Sequence, residues 1–168
     1  MATTNIVQYL NHTGKSVTTG ASVELGTSPL DRLQYETFLT ESAIVKGQAV
    51  SLDLSKIGAD PTGGFAALTV IAAVGNVATK KCVVGVAADS VTGTATSPQP
   101  VRVVVRGPAL LVPATGAILQ GAGVVVDSAG GLGAVETAAA GSLTNHVGVA
   151  MSAAAAGFVT IYVLGSGI

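Results

Sequence analysis

Residues 43–53 read Ala-Ile-Val-Lys-Gly-Gln-Ala-Val-Ser-Leu-Asp, and residues 117–127 read Ala-Ile-Leu-Gln-Gly-Ala-Gly-Val-Val-Val-Asp. Both stretches follow the pattern A-I-[VL]-x-G-x-x-V-x-[LV]-D. The shared glycine supplies a turn that a side chain would obstruct, and the alternation after it is typical of a strand with one buried face. The final aspartate can accept hydrogen bonds from its own turn. The pattern therefore predicts the same turn and strand twice in one chain.

Two further blocks are repeated downstream in the same order. Residues 84–87 (Val-Gly-Val-Ala) correspond to residues 147–150, and residues 101–107 correspond to residues 159–165. The first block predicts a short strand whose glycine permits a bulge or a close backbone neighbour. The second predicts a longer alternating strand followed by a turn. Three matches in one order indicate a tandem duplication.

The duplication divides the chain into three parts. A first β repeat occupies residues 36–108, a second occupies residues 109–168, and residues 1–35 form a polar N-terminal arm or covering segment. Glycine and proline separate the apolar runs at the short spacing of a sandwich or barrel. The predicted fold is all-β: two tandem duplicated antiparallel β lobes that form a small barrel or sandwich, after a mostly irregular N-terminal arm.

A helix-start signal lies near the end of the arm. Residues 28–31 read Ser-Pro-Leu-Asp, with a capping serine, a proline in the first turn and an acid three positions after the serine. Leu30, Leu33, Tyr35 and Phe38 would line part of one face of a short helix that starts there. The sequence therefore predicts a short helix before the first repeat.

The repeat blocks also predict which residues shape the turns and close backbone contacts. These structural positions are Gly47, Asp53, Gly85, Gly107, Gly121, Asp127, Gly148 and Gly165. Asp53 and Asp127 hold equivalent places in the two copies. That equivalence is what a turn role predicts, and a catalytic pair does not require it.

The composition is dominated by small side chains. Ala (27), Val (25) and Gly (22) are the most abundant residues, and charged residues make up 10% of the chain, against roughly 25% in ordinary soluble proteins. A mean hydropathy of +0.63 excludes a disordered chain. Such an excess of apolar residues is more than a monomer of this size can hide, so we expect an obligate homo-oligomer.

The charge pattern and the single cysteine exclude several classes of site. The net charge is −1, and the densest basic features are Lys80 with Lys81 and Arg102 with Arg106. This is too little to hold a polyanion, so nucleic-acid binding is not expected. Cys82 alone cannot form an internal disulfide or a cysteine-based zinc site, and its apolar surroundings predict a buried, inert thiol.

No stretch of the sequence resembles an active site. Residues 14–16 (Gly-Lys-Ser) match the end of a phosphate-binding loop, but Tyr9 stands where that loop needs its first glycine. His12 and His146 are the only histidines, and neither has a second ligand or a carboxylate at suitable local spacing. We expect His146 to be a turn residue, and we expect no enzymatic activity, cofactor or metal.

A membrane span and an export signal are both disfavoured. The chain start lacks the basic region and apolar stretch of a secretory signal. Residues 147–165 form an uncharged window of about the length that a bilayer helix needs. The window contains three glycines, has no flanking Lys or Arg, and ends in strand-like alternation. The sequence therefore predicts two strands there rather than a membrane helix.

The succession of repeat blocks resembles the small capsid cement, or decoration, proteins of tailed bacteriophages. The resemblance covers about residues 36–168 and is clearest in residues 109–127, 137–140, 147–150 and 159–165. It implies a β-rich, commonly trimeric protein that sits on the outside of the head shell where capsid subunits meet. The implied partners are sister chains and the major capsid protein. The implied location is the outer surface of the virion, after assembly in the host cytoplasm.

Other classes remain open on the sequence. A head-fibre base or tail component is a second structural possibility, and a cellular β-barrel carrier or ligand-binding module is a third. The two copies lack the exposed lysine in a turn that a biotinyl or lipoyl carrier uses. The long polar arm, residues 1–35, departs from the cement-protein pattern, and we expect it to contact the shell.

Overall fold

A computed structural model of the chain describes residues 33–57, 69–77, 82–139 and 145–164. The described part is mostly β, as the sequence predicts. Its elements in chain order are β1 (Gln34–Thr40), β2 (Ala43–Ile44), β3 (Ala49–Leu52), α1 (Leu54–Ile57), β4 (Val70–Ala72), β5 (Val83–Ala87), β6 (Val91–Thr92), β7 (Gln99–Pro113), β8 (Gly123–Val126), β9 (Val135–Thr137), β10 (His146–Ala150) and β11 (Phe158–Val163).

The strands form two lobes with the same antiparallel strand order. In the first lobe the order is β4-β3-β5-β7-β1, where β7 contributes its first half, residues 99–106. In the second lobe the order is β9-β8-β10-β11-β7, where β7 contributes its second half, residues 107–113. The second half of β7 therefore takes the place in the second lobe that β1 takes in the first. The predicted all-β fold of two duplicated lobes is confirmed.

The duplication extends to individual hydrogen bonds. The amide of Gly47 donates to the carbonyl of Ala87 over 2.8 Å, and the amide of Gly121 donates to the carbonyl of Ala150 over the same distance. The pairing of β3 with β5 and that of β8 with β10 both slip by one residue just before the strand glycine. Each copy has thus kept the turn, the strand and the bulge of the other.

Neither lobe closes into a continuous barrel within the described residues. Where the structure describes the chain, the two edges of each sheet are joined by a single parallel bridge, Leu39 with Thr69 in the first lobe and Ala114 with Val135 in the second. The open arrangement is that of a sandwich rather than a closed barrel.

The two lobes share a core. One buried cluster combines Ala49, Ala73 and Val86 of the first lobe with Val124 and Ile161 of the second. A second cluster, which includes Phe38 and Ile44, lies in the first lobe alone. The predicted boundary between residues 108 and 109 falls inside β7, which is one unbroken strand of 15 residues. The lobes are therefore packed as one body.

The predicted helix near residues 30–38 is wrong over its described part. Residues 34–40 form β1, which pairs with β7 over its whole length. Phe38 and Thr40 are buried, and residues 34–37 are exposed. Tertiary pairing therefore outweighs the local capping signal. Residues 28–31 and most of the predicted arm lie outside the described residues.

The uncharged window at residues 147–165 contains strands. Its described part, up to residue 164, holds most of β10 and the whole of β11, joined by a turn. The only helix among the described residues, α1, has four residues, and none there is long and apolar enough to cross a bilayer.

Candidate interaction surface

Gly47 and Gly121 lie in turns, as predicted. Their φ angles are +90° and +83°, in the left-handed region that favours glycine. The turn of residues 45–48 and the turn of residues 119–122 each close with an amide-to-carbonyl bond of 3.1 Å. This backbone conformation explains why both copies of the sequence pattern have a glycine at this position.

Asp53 and Asp127 accept hydrogen bonds from their own turns. Asp53 Oδ1 accepts the amide of Ser55 at 3.1 Å. Asp127, which is 2% exposed, accepts the amides of Ala129 at 3.0 Å and Gly131 at 2.9 Å. Both oxygens of the buried carboxylate are engaged in building a turn, and this geometry explains why the copies share an aspartate.

Gly85 and Gly148 lie inside β5 and β10 rather than in turns. A Cβ atom at Gly85 would collide with the backbone oxygen of Val104, and one at Gly148 would collide with that of Tyr162. Each glycine follows a register slip in its strand. The two positions are therefore close backbone contacts, which is the role that the Val-Gly-Val-Ala block predicts.

Gly107 differs from its predicted place in a turn. It lies in the middle of β7 with a φ of +113° and pairs with Val163. The chain makes no turn at Gly107, because β7 continues from the first lobe into the second. Gly165 lies outside the described residues.

The candidate chemical groups do not come together within the described residues. No group of three or more His, Cys, Asp or Glu side chains there is placed to hold a metal ion. His146 is the first, exposed residue of β10 rather than a turn residue. Cys82 is partly exposed rather than buried, because it precedes β5 instead of lying inside it. His12, Tyr9, residues 14–16 and Lys80 with Lys81 lie outside the described residues.

The charges of the protein are divided unequally between the lobes. All eight Lys and Arg residues lie at or before Arg106, and residues 107–168 contain only two carboxylates, Asp127 and Glu136. Asp127 is buried, and Glu136 accepts the amide of Ser128 at 3.0 Å. The surface of the second lobe is thus almost without charge.

Exposed leucines occupy the edge strand of this uncharged lobe. Leu110 and Leu111, in the second half of β7, are 64% and 66% exposed. They lie together opposite Thr160 because the β7–β11 pairing slips there, which makes a β-bulge. Leu111 has a φ of +56°, a conformation that a leucine rarely adopts. An exposed apolar bulge on an edge strand is the kind of feature that another protein surface covers.

Two more exposed apolar residues belong to segments close to this bulge: a Cβ atom at Gly47, near Val45, would lie 2.5 Å from the carbonyl oxygen of Leu111. The amide group of Gln48 donates to the carbonyl of Leu132 at 3.0 Å, and its side-chain oxygen accepts the amide of Val45 at 2.8 Å. Val45 and Leu132 are 57% and 60% exposed. We call Val45, Leu110, Leu111 and Leu132 the leucine surface.

The corresponding edge of the first lobe carries polar and charged groups. In the alignment of the two repeats that pairs residue 43 with residue 117, Glu36 and Thr37 of β1 correspond to Leu110 and Leu111. β1 pairs with β7 there without a bulge. The Arg102 side chain lies over the ring of Tyr35, with 5.6 Å from Cζ to the ring centroid. Charged side chains protect this edge strand from pairing with other chains.

Arg102 also binds the turn after β5. Its Nε and Nη2 atoms donate to the two carboxylate oxygens of Asp89 at 2.7 and 2.8 Å. This hydrogen bonding, aided by the Arg102 charge, lowers the pKa of Asp89 below the ordinary value of an aspartate. This ion pair therefore joins β7 to the turn after β5 and stabilises the fold.

The leucine surface was not predicted from the sequence. The sequence does contain a signal for it, because Glu36-Thr37 of the first copy is replaced by Leu110-Leu111 in the second. This difference is seen only when the alignment of the two copies is extended back to β1. Neither a comparison with known protein families nor a comparison with curated proteins finds a match to the chain.

Proposed function

We propose that the chain is a structural protein of a bacteriophage head: a cement, or decoration, protein that binds the outer surface of the assembled capsid as a homotrimer and stabilises it. The observation that carries the proposal is the second lobe, which exposes leucines and has almost no charge. The order of the repeat blocks, which resembles that of cement proteins, supports it as well. The partners are sister chains and the major capsid protein, and the location is the outside of the virion.

The leucine surface supplies a reason to associate. Fully burying a leucine gains about 1.5–3 kcal/mol relative to leaving it exposed, so covering one that is two-thirds exposed gains roughly 1–2 kcal/mol. The four side chains of the leucine surface together gain several kcal/mol on that scale. The neutral surroundings add little cost, because few ionised groups lose water when another protein covers them.

The stabilising mechanism is mass action. A protein that binds the assembled shell, but not separated subunits, stabilises the shell by its differential binding free energy. A trimer strengthens this effect because three weak contacts engage together at high effective concentration. No catalytic step, cofactor or metal enters this mechanism.

The proposal assigns different tasks to the arm and the lobes. The N-terminal arm supplies shell contacts, and the two β lobes build the oligomer. A chain that lacks residues 1–30 keeps the whole of β1, which begins at Gln34. We therefore expect the truncated protein to remain a folded trimer that no longer coats particles.

Light scattering followed by sedimentation with empty heads tests these statements. The full chain should have the mass of three 16.4 kDa chains and should sediment with the heads, whereas the truncated chain should keep its mass and stay in the supernatant. Full coating by the truncated chain would refute the role of the arm. A full chain that fails to sediment with heads would refute the cement function.

Imaging of particles separates this proposal from a head-fibre or tail role. A cement protein is spread over the shell lattice, whereas a fibre or tail component projects from a few sites. Density confined to the portal or the tail would therefore contradict the cement function.

A further inference from the structure

The contact between the two lobes is built around the turn of residues 45–48, which we call the docked turn. Gly47 is buried, and a Cβ atom there would lie 2.5 Å from the carbonyl oxygen of Leu111. Gln48 donates its side-chain amide to the carbonyl of Leu132, and the amide of Ala49 donates to the carbonyl of Gly133 at 2.8 Å. The docked turn of the first lobe is thus seated on the edge strand and a hairpin of the second.

The equivalent turn of the second lobe, residues 119–122, has the same internal structure, but no described part of the chain packs against its glycine. Its amide-to-carbonyl bond from Ala122 to Leu119 copies that of the docked turn. Gly121 is exposed, and no described atom lies within 4 Å of where its Cβ would be. Leu119 is 73% exposed. We call this segment the open turn.

The strand part of this contact surface has an equivalent in the first lobe, without the bulge, whereas most of the segment equivalent to the hairpin lies outside the described residues. The docked turn rests on the second half of β7, and β1 has the equivalent position in the first lobe. Glu36 and Thr37 correspond there to Leu110 and Leu111, and both are exposed. Among its described residues the chain therefore has one turn packed on a strand, one equivalent turn that is exposed and one equivalent strand that carries no turn.

We propose that the open turn of one copy docks against β1 of the next copy at Glu36 and Thr37. This contact would repeat between chains the contact that the docked turn makes within one chain. This contact joins two different surfaces, so it is heterologous, and copies related by it form a closed ring when the rotation closes. The uncharged open turn meets Glu36 without like-charge repulsion. The inference rests on the self-association in the proposed function and is independent of the shell contact.

The contact proposed at Gly121 between two copies gives a selective test. An asparagine tolerates the positive φ of this position better than other residues with side chains. Because the position is open, Gly121→Asn should leave the fold of the chain intact. The added side chain would occupy the space that the neighbouring β1 needs. We therefore expect the mass in light scattering to fall from that of the oligomer to that of a single chain.

Gly157 provides the matched control. Its φ is +79°, and it too has no described atom within 4 Å of a Cβ position. It lies in the turn between β10 and β11, outside the open turn. Gly157→Asn carries the same substitution at the same kind of backbone and should keep the mass of the wild-type oligomer.

A cross-link tests the same contact without disturbing it. In a Cys82→Ser background, Thr37→Cys combined with Gln120→Cys places one thiol on each proposed surface. A short thiol cross-linker should then join chains into covalent dimers and closed rings. Each single variant should remain unlinked. This measurement decides the question even if Gly121→Asn fails to fold.

The outcomes distinguish the inference from the function on which it rests. An oligomer that keeps its mass in Gly121→Asn and gives no cross-links would overturn the interface, while self-association would stand. A wild-type monomer would overturn both. A monomer that still sediments with heads would leave the shell-binding role in place.

Discussion

At the scale of single residues, Ser51 carries a buried hydroxyl group that finds no hydrogen-bond partner among the described residues. Its equivalent in the second lobe is Val125, which packs in the core. A buried hydroxyl without a partner loses its hydration and gains nothing in return. The two copies thus differ at this position, and the serine of the first copy stabilises the fold less than the valine of the second.

We expect Ser51→Ala to stabilise the protein by about 1 kcal/mol, because it removes an unsatisfied polar group. The measurement is the urea midpoint at unchanged m-value. Ser55→Ala is the control, since the Ser55 hydroxyl has a partner in Asp53 and its removal should not stabilise. A lower midpoint for Ser51→Ala would show that the hydroxyl has a partner in solution.

Leu111 is a second residue whose local structure is unfavourable in the single chain. A left-handed backbone costs a residue with a side chain roughly 1–2 kcal/mol, and the exposed leucine gains no burial in the single chain. Strain of this kind persists at places where function requires it. We therefore connect the conformation of Leu111 to the surface that it presents.

We expect Leu111→Asn to raise the stability of the chain by up to about 1 kcal/mol, because asparagine tolerates this backbone better, and to weaken self-association as measured by light scattering. Leu110→Asn is the matched control: it removes a neighbouring leucine of similar exposure and leaves the strain in place. It should weaken self-association without stabilising. Equal melting temperatures and equal self-association of Leu111→Asn and wild type would contradict this account.

At the scale of elements, the strand glycines set how closely neighbouring strands approach. A Cβ atom added at Gly85 or Gly148 would collide with a backbone oxygen of the neighbouring strand. We expect Gly85→Ala or Gly148→Ala to destabilise the protein by about 3 kcal/mol, since the backbones must move apart.

Gly123→Ala is the control for these substitutions. Its Cβ would meet its nearest neighbour, the His146 ring, at 3.4 Å, which is ordinary contact. It should change the thermal melting temperature far less than the other two. Comparable losses at all three positions would indicate a general cost of replacing strand glycines rather than a local collision.

The bond between Asp89 and Arg102 joins β7 to the turn after β5 and responds to acid. The folded state holds the pKa of Asp89 below its ordinary value, chiefly through the Arg102 hydrogen bonds. The stabilisation is therefore fully present above the pKa of an unfolded aspartate, about 4. It is lost as the pH falls through the lower pKa of the folded state.

We expect wild type to exceed Asp89→Asn in stability by a small margin at neutral pH, because the pair is solvent-exposed. The margin should shrink as the pH falls below about 4. Urea midpoints of both proteins between pH 7 and pH 2 measure it. A margin that stays constant over this range would exclude a role for the Asp89 charge.

At the scale of the whole molecule, the repeat blocks predicted the lobes because each block describes local geometry. A turn glycine, an alternating strand and a final aspartate depend on neighbouring residues, so the sequence contains their signal. β1 was mispredicted because its conformation comes from pairing with β7, a contact between distant parts of the chain. The upstream capping signal suggested a helix, and nothing local opposed it.

The surface was harder to predict than the strands. Composition indicated that apolar area must be covered, but it could not place that area on one lobe. The bulge at Leu110 and Leu111 arises from an extra residue against β11, which is a property of strand pairing. The shared core was not predicted either, because both repeats contain many alanines and valines and their sequence does not indicate which lobe each one packs against.

This shared core predicts that the two lobes unfold together. Ala49 and Ala73 of the first lobe lie in the same buried cluster as the core of the second, so each lobe would lose part of its buried core without the other. In a Tyr9→Phe background, Tyr35→Phe leaves only Tyr162 as a fluorescent probe, in the second lobe, and Tyr162→Phe leaves only Tyr35, in the first. We expect the same urea midpoint from both probes and from circular dichroism, as a two-state transition requires. Separate midpoints would show that the lobes are independent domains joined by β7, and the contact proposed between copies would then lack its intramolecular precedent.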